Sequence, residues 1–351
     1  MANAKRKKVR TGRAKKTAPA KGAAKRRPAK KARKPKRAAR SSAEAKRAGA
    51  AKTARKAAPR RPAAKPAAVS PALKVIDAKR IADVVAMLSM EANFDLCGDV
   101  EKAIERGLGL EESPVGKEII GQILENAAIA RAERMPICQD TGLAIVFVEL
   151  GQDVHVRGGL EEAINEGVRR GYTEGYLRKS VLGDPLRRVN TKDNPPAVIH
   201  ARVVPGRTLR LWVVPKGGGS ENKSRIAMLK PADGVEGVKK FVLEAVKIAS
   251  ADPCPPIIVG VGVGGSFEQC AMNAKRALLR EVGSVHPDPF YADLERELYR
   301  KVNDLGIGPQ GLGGRITALA VHIEAAPCHI ASLPVAVNMN CHAARHKMAE
   351  L

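Results

Sequence analysis

Apolar positions recur along this chain with two different periods, and their interleaving predicts a mixed architecture. Ile81, Val84, Val85 and Leu88 share one helical face, and Val100, Ile104 and Leu108 repeat that spacing. Ser113 followed by Pro114 is an N-cap and first-turn pair, opening a helix through Ile119, Ile120, Ile123 and Leu124. Residues 115–131 read as helix, and residues 143–149, almost wholly apolar, as a buried strand. Helical patterns also cover 159–175, 235–250, 267–282 and 291–305, while 257–263 and 316–323 read as strands. Residues 197–204 and 208–214, Val-rich and alternating around Pro205-Gly206-Arg207, predict a β-hairpin. Helices and strands interspersed in this way predict an α/β (α+β) fold, a mixed sheet flanked by helices, with no internal repeat.

The pattern is absent at the start of the chain. Residues 1–67 are nearly all Ala, Lys, Arg and Pro, and Val9 is their one large apolar residue after Met1. They hold 27 Lys and Arg against the single acid Glu44, which accounts for the whole net charge of +26. The remainder is neutral, with 35 bases and 35 acids. Such a segment buries too little apolar surface to offset its ordering entropy, so a disordered tail over 1–70 and a globular domain over 71–351 are expected. In composition the tail resembles those of linker histones, for example Lys15-Lys16-Thr17-Ala18-Pro19-Ala20-Lys21. Its charge implies non-specific attraction of residues 1–67 to nucleic acid; the plainer alternative is a solubilising extension.

No run of eighteen apolar residues occurs, and no apolar core of signal-peptide type, so neither a membrane span nor export is expected. The tail has almost no Leu, Ile or Phe, which an amphipathic transit peptide needs. Cys97, Cys138, Cys254, Cys270, Cys328 and Cys341 are too scattered for a disulfide scaffold; reduced thiols and a cytoplasmic location are the expectation.

Three cysteines stand in stretches of similar character. Cys138 lies in Pro136-Ile137-Cys138-Gln139-Asp140-Thr141-Gly142, between predicted helix and strand. Cys254 precedes Pro255-Pro256, and Cys341 lies in Asn338-Met339-Asn340-Cys341-His342. Taken singly, each is read more simply as an inert buried thiol. As a set they suggest one metal centre, since three thiolates can hold a cubane iron–sulfur cluster with one iron left open. Gly260-Val261-Gly262-Val263-Gly264-Gly265 fits the dinucleotide fingerprint, but the acidic partner expected after a second strand is missing. Close approach of the backbone to another element, or to an anion at the helix N-terminus, is the better account of those glycines. The Gly217-Gly218-Gly219 loop lacks phosphate-loop spacing, yet its N–H groups suit a carboxylate. Cys328, Cys341, His342 and His346 offer a zinc set without the usual short Cys pair. Cys97, Cys270 and His322 read as buried structural residues.

Together and in order, Ile137-Cys138-Gln139-Asp140-Thr141-Gly142, Gly217-Gly218-Gly219-Ser220-Glu221-Asn222, Cys254-Pro255-Pro256 with Gly262-Val263-Gly264-Gly265, and Asn340-Cys341-His342 resemble the α subunit of class I iron–sulfur fumarate hydratases and L-tartrate dehydratases. The resemblance runs from about Lys74 to the C-terminus and omits the tail. It implies a [4Fe–4S] cluster on Cys138, Cys254 and Cys341, with Gln139 and Asp140 touching substrate beside the first ligand. Arg178 would hold a substrate carboxylate, and Gly218 and Gly219 would offer backbone donors to the same dicarboxylate or hydroxy-dicarboxylate. In this family a second domain or β subunit adds further arginines, a lysine and the proton-transferring group. Because the chain stops ten residues after Cys341, a separate β partner and low activity of this chain alone are expected. The implied reaction is hydration of fumarate to malate. Dehydration of tartrate to oxaloacetate is the alternative within the family, and a nucleic-acid-associated protein acting through its tail is the alternative outside it.

Overall fold

The computed structural model describes residues 73–351. The tail expected over residues 1–70 lies outside them. The described residues open with β1 (Lys74–Asp77), then three helices, α1 (Ala78–Phe94), α2 (Gly98–Leu110) and α3 (Pro114–Glu133). Next come β2 (Leu143–Gly151), β3 (Val154–Arg157), α4 (Leu160–Glu174), β4 (Leu182–Asp184), β5 (Val189–Asn190), β6 (Val198–Val204) and β7 (Leu209–Lys216). The one-turn helix α5 (Gly218–Glu221) leads to β8 (Arg225–Leu229), α6 (Gly234–Ala249), β9 (Ile257–Gly264), α7 (Phe267–Ala277) and α8 (Pro289–Asn303). β10 (Ala318–Ala326), β11 (Leu333–Asn340) and β12 (Lys347–Glu350) complete it.

The strands form two four-stranded mixed sheets, ordered β12-β7-β2-β6 and β10-β9-β11-β8, and two short ribbons, β1-β3 and β4-β5. The mixed sheet expected from the sequence is therefore divided in two. The predicted hairpin over 197–214 is corrected: both strands exist, but β2 lies between them, parallel to β6 and antiparallel to β7. The cause is hydrophobicity. β2 is buried along most of its length, whereas β6 exposes most of its residues and takes the edge.

The first sheet packs one face on α1 and α4 through Ile81, Val85, Ile164, Val168 and Tyr172. The second sheet packs against α6 and α8 through Val242, Val246, Leu298 and Val302. Each fully buried side chain of this kind contributes about 1.5–3 kcal/mol relative to exposure. On the other side of β9, α7 lies so close that a Cβ on Gly260 would fall 2.1 Å from the Ala274 oxygen, and one on Gly262 would fall 2.0 Å from the Cys270 oxygen. The glycine repeat is thus explained by helix–strand contact. Ser113 caps α3 as its sequence indicates, its Oγ accepting the Gly116 N–H at 3.2 Å. Among the described residues, no helix is long and apolar enough to cross a membrane.

Candidate functional site

Cys138 precedes β2, Cys254 precedes β9 and Cys341 follows β11, so the ends of both sheets supply the three thiols. They stand within one another's field. Burial raises the Cys254 pKa, and the charges of Cys341 and Cys138 raise it further. Burial also raises Cys341, while Arg345 and Lys216 pull it back.

The turn bearing Cys138 is held from several sides. Ile137 N–H donates to the Asn93 oxygen at the end of α1, 2.9 Å away, and Asn126 Nδ2 donates to the Ile137 oxygen at 2.9 Å. The buried Tyr172 hydroxyl donates to the Thr141 oxygen at 2.8 Å. Burial pushes its pKa up, so it remains a donor. Gly142 has φ +77, and a Cβ there would lie 2.6 Å from the Lys216 carbonyl carbon. Only glycine admits that crossing.

Cys254 adopts a left-handed backbone, φ +54, a conformation that costs a non-glycine residue on the order of 1 kcal/mol. Neighbouring groups stabilise it. His342 N–H donates to the Cys254 oxygen at 3.3 Å, joining the second cysteine turn to the third. Gln310 donates its N–H and its Nε2 to the Pro255 oxygen at 2.8 and 3.0 Å.

Asp140 bridges two segments: Oδ1 accepts the Gly142 N–H at 3.1 Å, and Oδ2 accepts the Gly218 N–H at 2.7 Å. The donor of Gly218 expected to face a substrate is thus turned to Asp140 here, while Gly219 is exposed. Gln139 Oε1 accepts from the Cys138 thiol at 3.3 Å. The Arg178 side chain is exposed and forms no ion pair among the described residues, while its carbonyl is fixed by the Thr141 hydroxyl at 3.1 Å.

Lys216, Glu221 and Arg345, given no role in the sequence analysis, lie beside these residues. Lys216, fully buried at the end of β7, donates to Ser220 Oγ at 2.8 Å and lies 3.4 Å from Glu221. Burial pulls its pKa down to about 8 against the pull of Glu221. Burial pushes Glu221 up, but Lys216 and Lys275 overcome it and hold the carboxyl at about 2. Glu221 also accepts from Lys275 at 2.6 Å and from Asn338 Nδ2 at 2.8 Å. Arg345, 3 % exposed, forms no carboxylate ion pair among the described residues; it donates to Asn93 Oδ1 at 3.0 Å and to the Asp140 oxygen at 2.7 Å. The only sequence signals were proximity: Lys216 abuts the glycine loop, and Arg345 follows Cys341 by one helical turn's count.

The charges around the thiols suit a thiolate-bound cluster, since Arg345 and Lys216 both act on Cys341. Among the described residues two buried polar atoms lack any hydrogen-bond partner, Arg345 Nε and Asn338 Oδ1. Arg345 thus brings an uncompensated cation beside Cys341, where thiolate charge would meet it. The zinc set is corrected. Cys328 bonds to the Ser332 oxygen, His346 sits by Cys97, and among the described residues no three His, Cys, Asp or Glu side chains, Cys138, Cys254 and Cys341 included, gather around a single ion position. Cys270 and His322 are buried, their side chains against the Gly262 and Ala277 oxygens. Cys97 is half-buried at the start of α2.

A family model described as fumarate hydratase (Fumerase) matches residues 82–350. The chain is 44% identical over 279 residues to a protein named putative L(+)-tartrate dehydratase subunit alpha from Methanocaldococcus jannaschii, covering 78% of this chain and 98% of that one. It is 33% identical over 270 residues to L(+)-tartrate dehydratase subunit alpha of Escherichia coli strain K12, covering 76% of this chain and 89% of that one.

Proposed function

This chain belongs to the fumarate hydratase (Fumerase) family and is a hydro-lyase, and from that premise we propose that it catalyses the reversible addition of water to fumarate, giving malate, together with a β subunit. Three cysteines at the ends of two sheets, their charges acting on one another beside a fixed Asp140, support the reading. Cys138, Cys254 and Cys341 would hold a [4Fe–4S] cluster whose iron without a thiolate supplies Lewis acidity for a substrate carboxylate and hydroxyl.

The rest is the work of this chain's own side chains. Arg178, exposed beside the Cys138 turn, is free to clamp a substrate carboxylate in a two-pronged bond. Asp140 orients the glycine loop through Gly218 and, with Gln139, flanks the reacting carbons. Release of the Gly218 N–H from Asp140 would turn both groups to an incoming dicarboxylate, with Gly219 beside them. Arg345 and Lys216 balance negative charge from beneath. Hydration places a hydroxyl on one alkene carbon and a proton on the other; the partner chain would handle the carbon-bound proton. The names of the two relatives, each an alpha subunit, support a β partner and favour L-tartrate dehydration to oxaloacetate as the second reading.

The test is anaerobic co-purification with the β subunit, followed by iron and sulfide analysis and assays with fumarate, malate and L-tartrate. About four irons and four sulfides per chain, lost in Cys138→Ser, with turnover of one of these acids, is the expected result. A preparation that holds no iron after reconstitution, or turns over none of them, overturns the proposal. For residues 1–67, the 27 basic residues support non-specific nucleic-acid binding that weakens steeply with salt. Equal retention of a chain lacking them on a DNA column would refute it.

A further inference from the structure

The face of the first sheet opposite α1 and α4 is only partly covered. Ile145, Phe147 and Val214 are buried there against Trp212, Met272 and Leu279, the last two from α7 and the segment following it. Beside this patch opens a cavity of about 780 Å³, bounded by β2, β6, α7 and the far end of β10. β10 runs parallel to β9, so Glu324 and Ala326 lie at the end of that sheet away from Cys254. The cavity is therefore separate from the cysteine site.

Its floor is aromatic and aliphatic: Phe147, Trp212, Met272 and Leu279. The His200 ring lies against Phe147, centroids 5.1 Å apart. The arginines of the wall are unequally served. Arg280 is bound to Glu295 at 2.5 Å, and Arg202 closes on Glu149. Arg276 has only that same Glu149 carboxylate, at 3.7 Å, already shared with Arg202 and with Arg210. Its guanidinium makes no hydrogen bond among the described residues, although its side chain is only 30% exposed. Glu324 acts on it only through space. Burial and the nearby Arg202 disfavour its charge, so a bound anion would relieve both.

We propose that this cavity is a second ligand site, taking a small organic acid with a flat apolar body on Phe147 and Trp212 and its carboxylate or phosphate head on the Arg276 fork. The volume falls in the range of small-molecule pockets, about 300–1,000 Å³; an apolar floor meets a charged wall in which Glu149 and Glu324 stand beside three arginines, and Arg276 is the arginine least served. A four-carbon dicarboxylate has no apolar body to cover this floor, so the site selects a different class of acid from the one proposed above.

The protein carries its own reporter, because Trp212 is the single tryptophan of the chain. The full chain is titrated with phenyl phosphate, with benzoate and with inorganic phosphate while Trp212 emission is followed. Either aromatic acid should give a saturable change whose midpoint rises with salt, and inorganic phosphate should bind at least tenfold more weakly. Arg276→Gln should weaken the aromatic acid at least tenfold while the circular dichroism spectrum stays native. Arg276→Lys, which keeps the charge but loses the fork, should also weaken it, and serves if the glutamine variant does not fold. No saturable change with either aromatic acid, or an unchanged midpoint in the folded variant, overturns the proposal.

Discussion

The guanidinium of Arg345 reaches the main-chain oxygen of Asp140 at 2.7 Å, so the segment after the third cysteine clamps the segment after the first. Its other nitrogen holds Asn93, whose own carbonyl fixes Ile137. Arg345→Met keeps the bulk but strands the buried Asn93 Oδ1 and the half-buried Asp140 carbonyl, a loss of about 2–3 kcal/mol. The melting temperature of the variant should fall by about 5 °C or more. Iron retained after anaerobic reconstitution should fall with it. Wild-type values for both would show that Arg345 is a bystander.

Asp140 faces both the cysteine turn and the glycine loop. Asp140→Asn removes the negative charge but keeps one acceptor, so the fold should survive with a melting temperature within a few degrees of wild type. With the β subunit present, kcat should fall by about 10²-fold or more if Asp140 serves the reacting carbons. A variant with normal kcat and raised KM would reduce it to a loop anchor.

The Glu221 carboxyl, held at about 2 against an ordinary 4.5, makes stability depend on acid. A depressed folded pKa contributes stability that is complete above about 4.5 and is lost as pH falls towards 2. The side chain is 38% exposed, so solvent screening holds this contribution to about 1–2 kcal/mol. Urea midpoints between pH 6 and 3 should fall more steeply for wild type than for Glu221→Gln. Parallel curves would assign acid sensitivity to other carboxylates.

Two glycine substitutions should move stability in opposite directions. Gly262→Ala drives a methyl to within 2.0 Å of the Cys270 oxygen, and should cost about 3 kcal/mol or abolish folding. Gly109→Ala, in α2 with nothing within 4 Å of the new carbon, should gain about 0.5–1 kcal/mol. Thermal melts of the two variants decide it.

Helices were legible wherever one face alternated with the other. The Ser113-Pro114 start of α3 and the amphipathic α6 and α8 stand close to where their spacing puts them. Strand pairing was not legible, because period says which residues face the core and nothing of which neighbour they meet. β6 and β7 are adjacent in the chain yet separated by β2. β11 was not read as a strand, because the buried Asn338 and Asn340 within it interrupt the apolar pattern. Of the residues proposed for the site, Cys138, Cys254 and Cys341 drew notice because cysteine outside a regular apolar pattern is conspicuous. Lys216 and Arg345 did not, since buried cations look like surface ones until their surroundings are known.

The three cysteine turns lie far apart in the chain and border two different sheets. A group bound to all three would stitch those sheets together, closing long loops that an empty chain leaves open. Binding that favours only the folded state adds its free energy to stability. On this arrangement, iron would set the amount of protein as well as its activity. In a cell short of iron, chains without the stitch would open more often and be degraded first, so abundance would follow metal supply with no change in the rate of synthesis.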